Sequence, residues 1–148
     1  MLGGGLMTHQ VSVLIENKPG RLKQISEILS KNNINIKALS ISDSGIYGVV
    51  KLLLNKPQKG CAILLDEGIT ASLKDIIAVE SENVPGGIFG VADLLGQENI
   101  NIEDAYGFGI NKKNRAVFIF QVNEPEKTKK MFKEHGYKIL SKKELNLL

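Results

Sequence analysis

The chain has little of what catalytic and metal centres are built from. Of its 148 residues one is cysteine and two are histidine. A lone Cys61 excludes an internal disulfide framework and a cysteine-based zinc knuckle, and it fits a reducing cytoplasm. His9 stands in the opening tail and His135 near the other end, a poor start for a metal site or for a nucleophile with its base. No apolar run approaches the roughly 20 residues needed to cross a bilayer, so no membrane partner is expected. The opening, Met1 to Met7, lacks the basic and long apolar regions of a signal peptide and reads as a tail ahead of a start at Met7. Gly86-Gly87-Ile88-Phe89-Gly90 is not the dinucleotide fingerprint, and no cofactor is expected. A net charge of +3 is too mild to imply nucleic acid. What remains, at 43% hydrophobic and 24% charged, has the balance of an ordinary globular protein.

What is present is written twice. ENKPGRLKQISEILSKNNINIKALSI begins at Glu16, and ENVPGGIFGVADLLGQENINIEDAYGF begins at Glu82. Glu16 and Glu82, Asn17 and Asn83, Pro19 and Pro85, Gly20 and Gly86 all stand 66 residues apart. The offset still holds at Asn33 and Asn99, Asn35 and Asn101, Ile36 and Ile102. That period is too long for a solenoid and suits a small domain made twice. Units of this size sit near the lower limit for a self-sufficient core, so shared buried surface is expected. The boundaries expected are 8–74 and 75–148.

Each half has the same element order. Gln10 to Ile15 is rich in β-branched residues and reads as a strand. After the Pro19-Gly20 turn, Leu22, Ile25, Ile28 and Leu29 fall at helical spacing, and the helix should stop at Asn32-Asn33. Ile34–Ser42 and Tyr47–Leu54 form a hairpin about Asp43-Ser44-Gly45. Pro57 opens a second helix, with Gly68 past its end, and Ile69–Leu73 is a fourth strand. The second half repeats this. Asp75–Ser81 is a strand, and Gly87–Glu98 a helix with Ile88, Val91, Leu94 and Leu95 inward. Strands Ile100–Ile110 and Arg115–Val122 follow, then a helix from Pro125 and a strand at Tyr137–Leu140. Ser141 to Glu144 has capping-box spacing, which predicts a short terminal helix. Only Lys74-Asp75 joins the halves. The fold class is α+β: two ferredoxin-like βαββαβ units side by side in a continuous antiparallel sheet, with helices on one face.

This topology separates the repeated residues. The turn holding Asn17 and Gly20 precedes the first helix, whereas Asn35 follows it. A helix of about 11 residues spans roughly 16 Å, too far for one small ligand. Units packed with second strands antiparallel would bring the Asn17 turn to Asn101 and the Asn83 turn to Asn35. Glycine at 20 and 86 lets a ligand approach the backbone, and the helix start behind it favours a carboxylate. Asparagine offers both donor and acceptor. A zwitterionic amino acid matches the set, with Glu16 or Glu82 able to take its ammonium. Asn-x-Pro-Gly also fits a plain strand-to-helix turn, and being duplicated does not decide between the two.

On these residues the chain resembles a tandem ACT-domain protein, with the likeness covering nearly everything from Met7 onward. It is carried by Asn-x-Pro-Gly-x-Leu/Ile, a helix, then Asn-Ile-Asn-Ile, in both halves. In the serine-sensing ACT domains of phosphoglycerate dehydrogenase, the turn Asn and the strand-two Asn of neighbouring domains hold the effector. The resemblance implies a ligand-binding set of Asn17, Pro19, Gly20, Arg21, Leu22, Asn35, Ile36, Asn83, Pro85, Gly86, Gly87, Ile88, Asn101 and Ile102. Those relatives carry a His two residues before the turn Asn, where this chain has Ile15 and Ser81. No catalytic or metal residues are implied.

The function expected is a cytoplasmic, non-enzymatic regulator that binds a small neutral amino acid and modulates a metabolic enzyme, as a homodimer. The alternative is a regulatory or assembly subunit that needs no ligand. RNA binding on an RRM-like sheet is a distant third. Phe118 and Phe120 share a face of one strand but have no aromatic partner on the first strand, and read as core or interface. Cys61 reads as packed, His135 as a helix-terminal residue, and Lys127, Lys129, Lys130, Lys133 and Lys138 as a solvated basic face.

Overall fold

The computed structural model describes residues 7–148; the expected tail, residues 1–6, lies outside the described residues. The chain divides into two compact units. One is His9–Lys74, here the N-terminal unit; the other is Asp75–Leu148 together with Met7 and Thr8, here the C-terminal unit. No helix among the described residues is long and apolar enough to cross a membrane.

The N-terminal unit runs β1 (Thr8–Glu16), α1 (Arg21–Lys31), β2 (Ile36–Ser44), β3 (Tyr47–Leu54) and α2 (Pro57–Asp66), then enters β4 (Thr70–Glu82). Strand order is β2-β3-β1, with β4 next to β1. Alternation puts Val11 and Val13 of β1 opposite Leu52 and Val50 of β3 on one face. Ile25 and Leu29 of α1 and Cys61 and Leu64 of α2 close over that face. The helix layer is set by i, i+4 spacing. Burial pushes the Cys61 thiol up, as a packed and unreactive cysteine requires.

The C-terminal unit repeats the plan with the rest of β4, α3 (Gly87–Gln97), β5 (Ile102–Gly109), β6 (Arg115–Val122), α4 (Pro125–Glu134) and β7 (Lys138–Leu140). Its strand order is β5-β6-β4-β7, all pairs antiparallel. The core joins Ile77, Val79, Phe120 and Val122 to Val91 and Leu95 of α3 and Met131 and Phe132 of α4. Phe120 stacks on Phe132 with centroids 6.4 Å apart, and Phe132 meets Tyr137 edge-on at 5.6 Å. The aromatic strand is therefore core, with Phe118 packed against the same cluster. A final helix, α5 (Lys142–Asn146), starts on the expected capping box. Ser141 Oγ accepts from the Glu144 N–H, and the Glu144 carboxylate accepts from the Ser141 N–H, each at 3.2 Å.

Several boundaries differ from the sequence reading, each for a physical reason. The expected strands 69–73 and 75–81 are one strand of 13 residues, because nothing between Thr70 and Glu82 is glycine or proline. The strands expected from Ile34 and Ile100 begin at Ile36 and Ile102. Ile34 and Ile100 instead close the preceding helices, donating their N–H to Leu29 and Leu95 at 2.9 Å. Asn33 and Asn99 supply the left-handed residue of that motif, at φ 58 and 55. Ile88 is not inward: it lies in the first turn of α3 and is 47% exposed, and the buried stripe starts at Val91. Lys129 does not belong to a solvated face, being only 4% exposed on the core side of α4, 3.2 Å from the Glu126 carboxylate.

Candidate functional site

Each unit has a corner where its first strand ends, its first helix starts, and its third and fourth strands begin. In the N-terminal unit this corner is a cavity of about 240 Å³ lined by residues that include Ile15, Glu16, Arg21, Gln24, Tyr47 and Gly68. In the C-terminal unit it is about 380 Å³, lined by residues that include Glu80, Glu82, Gly87, Gly90, Arg115 and Tyr137. Both corners turn on a glycine in the left-handed region, Gly20 at φ 90 and Gly86 at φ 89. That conformation strains any residue with a Cβ, which explains why both halves keep glycine there. Neither α1 nor α3 has a side-chain cap; the Gly87 N–H at the start of α3 donates to the Val84 carbonyl at 2.9 Å, and no side chain caps the rest of either first turn.

The two corners share the left-handed glycine and differ in what fills them. Glu16 is held by Lys18 and Arg21, each at 2.9 Å, and Arg21 also donates to Gln24 at 2.9 Å. Hydrogen bonding and charge from Lys18, then the charge of Arg21, keep the Glu16 carboxyl below its ordinary value. Asn17 spends its amide donors on the Asp43 carboxylate at 2.8 Å and the Gly45 carbonyl at 3.1 Å. At the same offset the C-terminal unit has Val84 for Lys18, Gly87 for Arg21, Gly90 for Gln24 and Gly109 for Asp43. Among the described residues Glu82 has no ion pair and the Asn83 side chain no hydrogen bond. A Cβ on Gly90 would lie 2.9 Å from the Tyr137 hydroxyl, so the glycine opens the space in front of that ring.

A buried carboxylate also lines the larger cavity. Glu80 accepts from Lys112 at 3.0 Å and from Arg115 at 3.3 Å. Burial alone would raise its pKa, but the bonds from Lys112 and Arg115 outweigh it and hold the carboxyl below its ordinary value. Ser81 is buried beside it, with its hydroxyl donating to the Gly87 carbonyl at 3.4 Å. The corner thus presents helix N–H donors, one unpaired carboxylate and one unpaired amide, a set that suits a carboxylate and an ammonium together.

Of the residues the sequence singled out, Asn17, Pro19, Gly20, Arg21 and Leu22 fall at the N-terminal corner. Asn83, Pro85, Gly86, Gly87 and Ile88 fall at the C-terminal one. Asn35 and Ile36 lie apart from the first group. With Ser26, Ser30 and Asn55 they line a different cavity, of about 430 Å³. Asn35 and Asn101 also have a local duty. Each donates its N–H to a following asparagine side chain, Asn55 at 2.9 Å and Asn123 at 3.0 Å, and accepts that residue's N–H in return. Their own side chains are exposed, as is Ile102. The left-handed turn at the helix end accounts for Asn33 and Asn99, whereas Asn35 and Asn101 make these bonds through their backbone, which asks for no particular side chain. Sequence reasoning passed over Glu80, Gly90, Gly109, Arg115 and Tyr137. Aligning the halves would have exposed the glycines, but the Glu80 pairing depends on the turn that carries Lys112.

Known proteins place the chain. Residues 6–148 match the family model described as an ACT domain pair. The solved structure of protein BT0572 from Bacteroides thetaiotaomicron is 30% identical over 97% of this chain and 98% of its own, with a TM-score of 0.89. The regulatory subunit of aspartate kinase from Thermus thermophilus shares the fold at 17% identity and a TM-score of 0.64, over 85% of this chain and 91% of that one. A segment of 40 residues is 40% identical to the acetolactate synthase small subunit of Mycolicibacterium smegmatis. That segment is 27% of this chain and 24% of the relative, so this likeness is local. The duplicated glycine corner and the full-length match lead to one conclusion: the chain belongs to the family of ACT domain pairs, a regulatory fold for amino-acid binding.

Proposed function

We propose that the protein is a non-catalytic cytoplasmic regulator that binds a small, neutral free amino acid and so modulates a metabolic enzyme. The observation that carries this reading is the Gly86 corner, where an uncapped helix start and the free Glu82 carboxylate line a cavity of about 380 Å³, with the free Asn83 amide next along the chain. The amino acid's carboxylate would sit at the α3 N–H groups, as anions do at helix starts. Its ammonium would face Glu82. A strand-two asparagine from the second copy of a homodimer would complete the site. Two relatives support the choice of partner, being subunits of aspartate kinase and of acetolactate synthase.

A thermal-shift panel of the twenty amino acids tests it. A ligand at 100 times its dissociation constant adds about 2.7 kcal/mol of stability, a shift of several degrees in a chain this size. One specific observation favours a second reading. Ile88 and Phe89 stand 47% and 69% exposed on the first turn of α3, beside the corner. Such apolar exposure suits a ligand-independent assembly surface. A panel in which no amino acid shifts the transition would favour that reading.

A further inference from the structure

The duplicated motif suggests two equivalent sites per chain, but the side chains around the two corners do not allow equal occupancy. The side chains that a zwitterion would need at the N-terminal corner are already engaged, which leaves only the uncapped start of α1. The Glu16 carboxylate is held by Lys18 and Arg21, the Asn17 amide by Asp43 and Gly45, and Arg21 with Gln24 lines the remaining space. A guest would have to displace a charge-assisted hydrogen bond for each one it formed, with little net gain. At the C-terminal corner the four residues that do this work are Val84, Gly87, Gly90 and Gly109. The Glu82 carboxylate and the Asn83 amide are left without partners, and Gly87 and Gly90 line a cavity of about 380 Å³ where Arg21 and Gln24 line one of about 240 Å³.

We propose that the chain holds one zwitterionic amino acid rather than two, at the corner formed by Glu82, Asn83 and Gly86 to Gly90. The N-terminal corner is a self-satisfied structural copy. This rests on the amino-acid-binding reading above and adds to it a stoichiometry and a division of labour between the halves. It also names Gly90 and Gly109 as residues that admit the guest, Gly109 by leaving the Asn83 amide without a competing carboxylate.

The test is calorimetry on the full chain, with each of the twenty amino acids titrated singly. Binding at one equivalent per chain is expected, and two equivalents overturns the proposal while leaving the amino-acid reading intact. No heat with any of the twenty overturns both. Gly109→Asp recreates the pairing of Asp43 with Asn17. A Cβ at Gly109 meets the Asn83 amide nitrogen at 3.7 Å, an ordinary contact, so the variant should fold. It should weaken the bound amino acid at least tenfold; unchanged affinity overturns the proposal. Gly90→Gln should do the same through the lost space. The matching Asp43→Gly variant, which frees Asn17 and the Gly45 N–H, should leave affinity at the first equivalent within twofold. A large loss there would place the guest at the wrong corner.

Discussion

Set side by side, the two glycine corners share a left-handed glycine and have opposite chemistry. In the N-terminal unit Arg21 closes on Glu16 at 2.9 Å and Asp43 closes on Asn17 at 2.8 Å. In the C-terminal unit glycine stands at 87 and at 109, and Glu82 and Asn83 face outward. The backbone demands of the turn explain what both halves kept: a left-handed glycine, and a left-handed asparagine at the helix end. At 87 glycine is itself a backbone demand, because a Cβ there would run into the Glu82 carbonyl, whereas the side chains at 84 and 109 were free to diverge. The difference teaches that a duplicated motif reports first on folding, and that a site must be sought in the neighbours the motif lacks.

The two cores give the largest test of how far the units resemble each other. Phe132 is fully buried between Phe120 and Tyr137, and its counterpart core is aliphatic around Ile25, Leu29 and Leu64. Phe132→Ala should cost about 3–5 kcal/mol, and Leu29→Ala about 2–5 kcal/mol. Chemical denaturation followed by circular dichroism checks both. A second transition in only one variant would show that the two cores melt separately.

Next in size is the corner itself. Gly20→Asp and Gly86→Asp each force a Cβ residue to φ near 90, at about 1–2 kcal/mol, and neither Cβ would meet another atom within 4 Å. Their stability losses should therefore match. Binding of an amino acid should vanish in Gly86→Asp and survive in Gly20→Asp. Equal loss in both would erase the contrast between the corners.

Glu80 offers a comparison by pH, since the same offset in the N-terminal unit carries an exposed Leu14. The folded-state pKa of Glu80 lies below its unfolded value. Its contribution is therefore fully present above the unfolded pKa of about 4.3 and is lost as pH falls through the folded one. Glu80→Gln should cost about 1–2 kcal/mol at pH 7, a figure kept low because Lys112 and Arg115 are partly exposed. The gap between variant and wild type should shrink on titration from pH 7 to pH 3. A gap that does not change would mean that Glu80 is held by packing, not by charge.

The smallest effect should be the most symmetric. Asn33→Ala and Asn99→Ala place alanine at φ 58 and 55 and should each cost about 1 kcal/mol. Thermal melts of the two variants should agree within error. A much larger loss in one would assign that asparagine a duty beyond ending a helix.

Much of the fold was legible because it rests on local rules. Strand and helix positions followed from periodicity, and β3 and β6 were placed to the residue. The capping box at Ser141 was readable from spacing alone. Errors fell where a residue serves two elements. Ile34 and Ile100 look like strand but close helices, and Lys74-Asp75 looks like a joint but lies inside β4. The candidate site was half legible. Gly20 and Gly86 announced themselves, whereas Glu80 did not, because its partners Lys112 and Arg115 are brought to it only by the pairing of β4 with β6.

By itself, then, the sequence determined that one small α+β unit was made twice, with a left-handed glycine and a left-handed asparagine at fixed places in each. Those are properties of a few adjacent residues, set by backbone sterics and side-chain periodicity. Only the tertiary structure decided which corner is closed, because Asp43 meets Asn17 across 26 residues of chain. A pairing of that kind is a matter of distance in space, and spacing along a chain does not contain it.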